Sequence, residues 1–66
     1  MQELNRIRGY RSMIGLSQEE MAKKIGISRE NYARKESSNN FNETEKLALL
    51  SVFNEKGLKL VRNDLD

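Results

Sequence analysis

Cysteine, histidine, proline and tryptophan are all missing from these 66 residues, and each absence removes a class of reading. Without cysteine there is no covalent staple. Without cysteine or histidine any metal would have only oxygen ligands, so a structural zinc is excluded and no metal site or cofactor is expected. Catalysis is equally poorly served: both usual proton-transfer and thiol groups are gone, and there is no glycine-rich phosphate cradle and no pair of carboxylates framed by a plausible pocket. An enzyme is not expected. No apolar run nears the roughly 18 residues that cross a bilayer, and the opening MQELNRIRGYR lacks the apolar centre of a signal peptide. The expectation is a cytoplasmic protein with no membrane partner. With no proline, linker or internal repeat to divide it, the chain reads as a single domain over residues 1–66.

What is present must therefore hold together by packing alone. A chain this short hides only about 60% of the surface its unfolded form exposes, and its remaining recourse is self-association, so a homodimer is expected. The net charge of +2 says little about partners. Its distribution says more: three arginines lie in 6–11 and three cations against one glutamate in 29–35, while acids collect at Glu43, Glu45, Asp64 and Asp66.

Periodicity and caps predict an all-α chain, a compact bundle of four to five helices. Leu4, Ile7 and Ile14 keep helical spacing over residues 2–14, and Gly15 ends that helix. Gly9 in its middle weakens it by about 1 kcal/mol relative to alanine, which suggests a close neighbour there. Ser17 opens S-Q-E-E, a capping box in which Glu20 reaches back to the serine amide. Met21, Ala22 and Ile25 then form a narrow apolar face, and Gly26 is placed to adopt the left-handed conformation that ends a helix. Ser28 can cap a third helix over 29–36, with Ile27 and Tyr32 turned to the core. SSNNFN follows as a polar loop anchored by Phe41. Asn42 or Thr44 can cap a fourth helix on which Leu47, Leu50 and Phe53 recur, broadened by Ala48 and Leu49. Beyond Gly57 the pattern of Leu58, Leu60, Val61 and Leu65 suits either an extended segment or a last helical turn. With the fourth helix, this tail over 57–66 is the expected dimerisation surface.

Two helices joined by a three-residue turn can place the second in a DNA major groove about 12 Å wide. At about 100° per residue, Arg29, Glu30, Ala33 and Arg34 share one half of the 29–36 helix, with Asn31, Tyr32, Lys35 and Glu36 on the other. The outward half offers two arginines for guanine, a glutamate for cytosine and a small alanine for a thymine methyl.

The string G-L-S-Q-E-E-M-A-K-K-I-G-I-S-R-E-N-Y, residues 15–32, resembles the Cro and repressor family of phage helix-turn-helix domains, and the similarity extends over about 4–53. The resemblance implies a lambda-repressor-like bundle with its motif at 17–36. It also implies a transcriptional regulator that binds a pseudopalindromic operator in double-stranded DNA as a homodimer. By that resemblance Arg29, Glu30 and Arg34 meet bases, Gln18 clamps a phosphate and helps orient the third helix, and Ser38, Asn39 and Asn40 touch the DNA backbone. Arg11 and Glu36 stand where the family often has a partly buried ion pair. Lys35 departs from the pattern, standing where the family has a large apolar residue; its stem would cover the core while its ammonium reaches solvent or a phosphate. With no room for a sensor domain, no small-molecule ligand is expected. A protein-interaction module on the same fold, antirepressor or antitoxin-like, is the alternative. RNA binding is a third option without support, because no pair of exposed aromatics offers a stacking platform.

Overall fold

Capping side chains set the helix boundaries. The computed structural model describes residues 6–65, and among them are four α-helices, one 3-10 helix and no strand. α1 runs Arg6–Ile14; the earlier part of the expected first helix, Leu4 included, lies outside the described residues, as does Asp66. Ser17 caps α2, Gln18–Ile25. Its hydroxyl accepts from the Glu20 amide at 3.1 Å while the Glu20 carboxylate accepts from the Ser17 amide at 2.9 Å. Two amides that no helical carbonyl can reach are thereby satisfied. Gly26 follows at φ 81°, a conformation a side chain would resist, and its amide bonds the Ala22 carbonyl at 2.9 Å. Ser28 caps α3, Arg29–Ser38, by accepting from the Asn31 amide at 3.2 Å. Of the two candidates before α4, Glu43–Glu55, it is Asn42 that caps, exchanging hydrogen bonds with Glu45.

α3 is longer than its sequence suggests, because Ser37 and Ser38 are helical rather than part of a loop. Asn39 ends it at φ 54°, one of the few non-glycine types that enter this region readily. The Asn39 amide then reaches the Glu36 carbonyl at 3.2 Å and the Asn40 amide the Lys35 carbonyl at 2.9 Å. The chain is free to turn back, and Phe41 enters the core against Tyr32, ring centres 5.6 Å apart.

The core comprises Ile7, Met21, Ala22, Tyr32, Phe41, Leu49, Phe53 and Leu65, so α1, α2, α3 and α4 all contribute. On α4 the buried stripe is Leu49 and Phe53, four residues apart, and not the three-residue series beginning at Leu47. Leu47 is 53% exposed, since two residues of helix turn it about 200° from Leu49. In the tail, of the two expected forms, it is the last helical turn that is present. Residues 58–61 have no regular secondary structure and lead into a 3-10 helix, Arg62–Leu65, whose Leu65 is fully buried, with Leu58 and Leu60 packed on the core. Three fastenings hold it: Asn54 bonds both the amide and carbonyl of Leu60 at 2.8 and 3.0 Å, Arg62 pairs with Glu43 at 2.6 Å, and the Tyr10 hydroxyl donates to the Asp64 carbonyl at 3.1 Å. Most of the apolar excess expected at a dimer surface is thus consumed internally, and only Val61, 64% exposed, stays open. Gly9 has no close neighbour: a Cβ there would meet nothing within 4 Å.

Among the described residues no helix is long and apolar enough to cross a membrane.

Candidate nucleic-acid interface

α3 has a back and a front, and the back is organised by one carboxylate. Glu36 is fully buried. Arg11 reaches it from α1 through Nε at 2.8 Å and Nη2 at 3.1 Å; Gln18 donates from the first turn of α2 at 3.0 Å, and the Tyr32 hydroxyl from within α3 at 2.7 Å. Arg8 adds a longer ion pair at 3.5 Å. Arg11 is held in turn by the Leu16 carbonyl, 2.9 Å from Nη1. Burial alone would raise the Glu36 carboxyl, but the hydrogen bonds from Arg11, Gln18 and Tyr32 outweigh it and hold the group below the ordinary carboxylate range. Tyr32 moves the opposite way: burial, then its bond to Glu36, keep the phenol protonated. No buried side-chain nitrogen or oxygen among the described residues lacks a partner. Arg11 and Glu36 therefore form an ion pair at the positions where the resemblance implied one, and Gln18 and Arg8 join it.

Lys35 is half-buried rather than free. Its ammonium pairs with Glu45 of α4 at 2.9 Å, a carboxylate already positioned by capping that helix. Burial would raise Glu45, but the lysine and the capping amide hold it low. Of the cations in 29–35, Lys35 is committed to the fold and only Arg29 and Arg34 are exposed.

The front of α3 carries Arg29, Glu30, Arg34, Ser37 and Ser38, all exposed, with Ala33 half-buried among them. At about 100° per residue these residues span roughly 0° to 180° from Arg29, and Ser37 sits near the middle. Glu30 has no hydrogen-bonding or ion-pair partner among the described residues. Arg34 donates through Nη2 to the Asn31 amide oxygen. The Ser38 hydroxyl bonds back to the Arg34 carbonyl at 2.9 Å, so it is less free than its exposure suggests. Asn39 closes the helix and Asn40 follows it, both exposed, so 38–40 cluster at the C-terminal end of α3. Gln18 stands apart from them, half-buried at the start of α2.

Sequence reasoning missed three residues of this surface. Ser37 was lost with the last turn of α3, which the left-handed preference of asparagine at Asn39 could have restored. Asn31 was counted with the inner half, although its amide oxygen serves Arg34. Arg8 was counted only among the three arginines of 6–11, and nothing in its local sequence points to a buried carboxylate on another helix.

Set against known proteins, the chain matches no family model, no curated protein and no solved structure.

Proposed function

We propose that this chain is a sequence-specific binder of double-stranded DNA that regulates transcription, a helix-turn-helix protein of the Cro and repressor kind with α2 and α3 as its motif. One observation carries the reading: α3 is pinned from behind through a buried, fully bonded Glu36 to α1 and α2, while its front is bare and bears Arg29, Glu30 and Arg34. A helix about 10–12 Å across fits a major groove about 12 Å wide. The ten residues of α3 make about 15 Å of helix, enough to run beside about four base pairs. Arg29 and Arg34 are matched to guanine, Glu30 to cytosine, and Ala33 to a thymine methyl. Gln18 has a second amide N–H beyond the one given to Glu36, and this one is available to a phosphate. Ser38, Asn39 and Asn40 serve the DNA backbone at the other end of α3.

In this reading the protein works in the cytoplasm as a symmetric dimer on two half-sites about 34 Å apart, a spacing comparable with its longest dimension of 31 Å. The dimer surface is smaller than the sequence suggested. Glu43, Leu47 and Asn54 lie within about 40° of one another around α4. The tail is fastened at Asn54 and Glu43, so Val61 lies along the same flank as Leu47. Sedimentation should show Leu47→Glu as a monomer; an unaltered dimer would move the interface elsewhere. That all four aromatic rings are buried or half-buried in the packing argues against stacking on single-stranded RNA.

The test is a mobility shift on random duplex DNA at two salt concentrations. Binding should weaken with salt at a log-log slope of about −0.9 per phosphate contacted. No shift at low salt would sink the proposal and turn attention to a protein partner for the same face.

A further inference from the structure

The two exposed arginines of α3 are not equivalent. Arg29 has no hydrogen-bond partner among the described residues, whereas the Arg34 guanidinium is held at Nη2 by the Asn31 amide oxygen. We infer that Asn31 is a positioning residue for Arg34, holding it along the flank of α3 so that it meets a base already oriented. This inference rests on the DNA-binding reading above.

Asn31 is suited to the task on three grounds. It lies three residues before Arg34, one turn away on the same side of the helix. It is itself well fixed, half-buried, with its backbone amide bonded to the Ser28 cap at 3.2 Å. And its side chain is neutral. A carboxylate in that place would orient Arg34 but also cancel part of the charge DNA should feel, whereas an amide oxygen orients without neutralising. A guanidinium carries five N–H donors, so one given to Asn31 leaves enough for a bidentate pair with guanine. Arginine otherwise loses much rotamer freedom on being fixed, and a side chain already restrained loses less. Arg34 becomes the discriminating contact of the face and Arg29 the adaptable one.

The test is selection of bound sequences from a random duplex pool by the wild type, Asn31→Ala, Arg34→Ala and the double variant, followed by competition binding on the wild type's selected duplex. Asn31→Ala should lower discrimination about 2- to 10-fold at the base pair that Arg34→Ala affects, leaving the other positions and the salt slope unchanged. In the double variant the Asn31 change should have no further effect, because it acts only through Arg34. Asn31→Asp, which keeps the acceptor and adds a charge, should retain the preference while weakening all sequences alike. If Asn31→Ala keeps the wild-type profile, or alters a different base pair, the inference fails although the DNA reading stands. If the wild type enriches no sequence at all, the DNA reading itself fails and takes the inference with it.

Discussion

Glu36 and Glu30 are the same residue type on the same helix, and the rest of the chain treats them in opposite ways. Around Glu36 it assembles Arg11, Gln18, Tyr32 and Arg8, drawn from α1, α2 and α3, and leaves no solvent. Around Glu30 it assembles nothing among the described residues. Neither treatment follows from helix propensity, which cannot distinguish one glutamate from another. An isolated buried ion pair often does no better than well-packed apolar groups of similar volume. What the Glu36 network adds is direction: a carboxylate bonded from three helices fixes α3 in rotation as well as position. Fixing the back is what gives the front a defined orientation.

The largest expected effect comes from breaking the back. Arg11→Ala removes the principal charge facing a fully buried carboxylate and should lower unfolding free energy by about 3 kcal/mol, measured by urea denaturation. A chain of 66 residues is stabilised by only about 3–10 kcal/mol in all, so this loss is about a third or more of the whole. A loss below about 0.5 kcal/mol, the range of an ordinary surface change, would mean the network does not anchor α3.

How much of this was legible in the sequence divides along the same line of local against distant contact. Ser17 with Glu20 and Gly26 at the end of α2 are set by neighbours a few residues away, and the sequence alone placed them. Arg11 with Glu36, 25 residues apart, was placed by resemblance rather than by any local rule. The partners of Lys35 were out of reach, because Glu45 accepts it only once Asn42 has capped α4 and the chain has folded back. Leu47 was misplaced for a related reason: Leu47, Leu49, Leu50 and Phe53 allow two stripes on α4, and only packing selects the one through Leu49. The fate of Leu65 depended on side chains of α1 and α4 that hold the tail, which no reading of the tail itself contains.

Acid should attack the same side of α3. The folded Glu36 carboxyl lies below its ordinary 4.5, so the unfolded chain takes up the proton first as pH falls. The stability it confers is therefore complete above about 4.5 and is lost progressively as pH falls through its depressed value, with Glu45 shifted in the same direction. Tyr32→Phe removes one of the bonds holding Glu36 low, and should move the acid unfolding midpoint to higher pH in thermal melts. An unchanged midpoint would show that the Tyr32 bond does not help to hold Glu36 charged.

Damage to the front should leave folding alone. Arg34→Ala, exposed and about 200° around α3 from Glu36, should change stability by less than about 0.5 kcal/mol while weakening binding to the selected duplex by about 1–3 kcal/mol and relaxing one base pair. Equal weakening on all sequences would reassign Arg34 to a phosphate.

Glu30→Gln should produce the smallest effect, and its sign is the informative part. With no partner to lose, folding stability should again move by less than about 0.5 kcal/mol. On DNA, two consequences of removing a negative charge oppose each other. Binding to unrelated duplexes should tighten, because one repulsion with the phosphates disappears. Binding to the selected duplex should weaken by about 1 kcal/mol, because glutamine, which also donates, is a poorer acceptor for the cytosine amino group. Competition binding measures the ratio of the two, and a fall in that ratio marks Glu30 as a reader of sequence. A rise in affinity for both duplexes by the same factor would mark it as a bystander, and the front of α3 would then read DNA through its arginines alone.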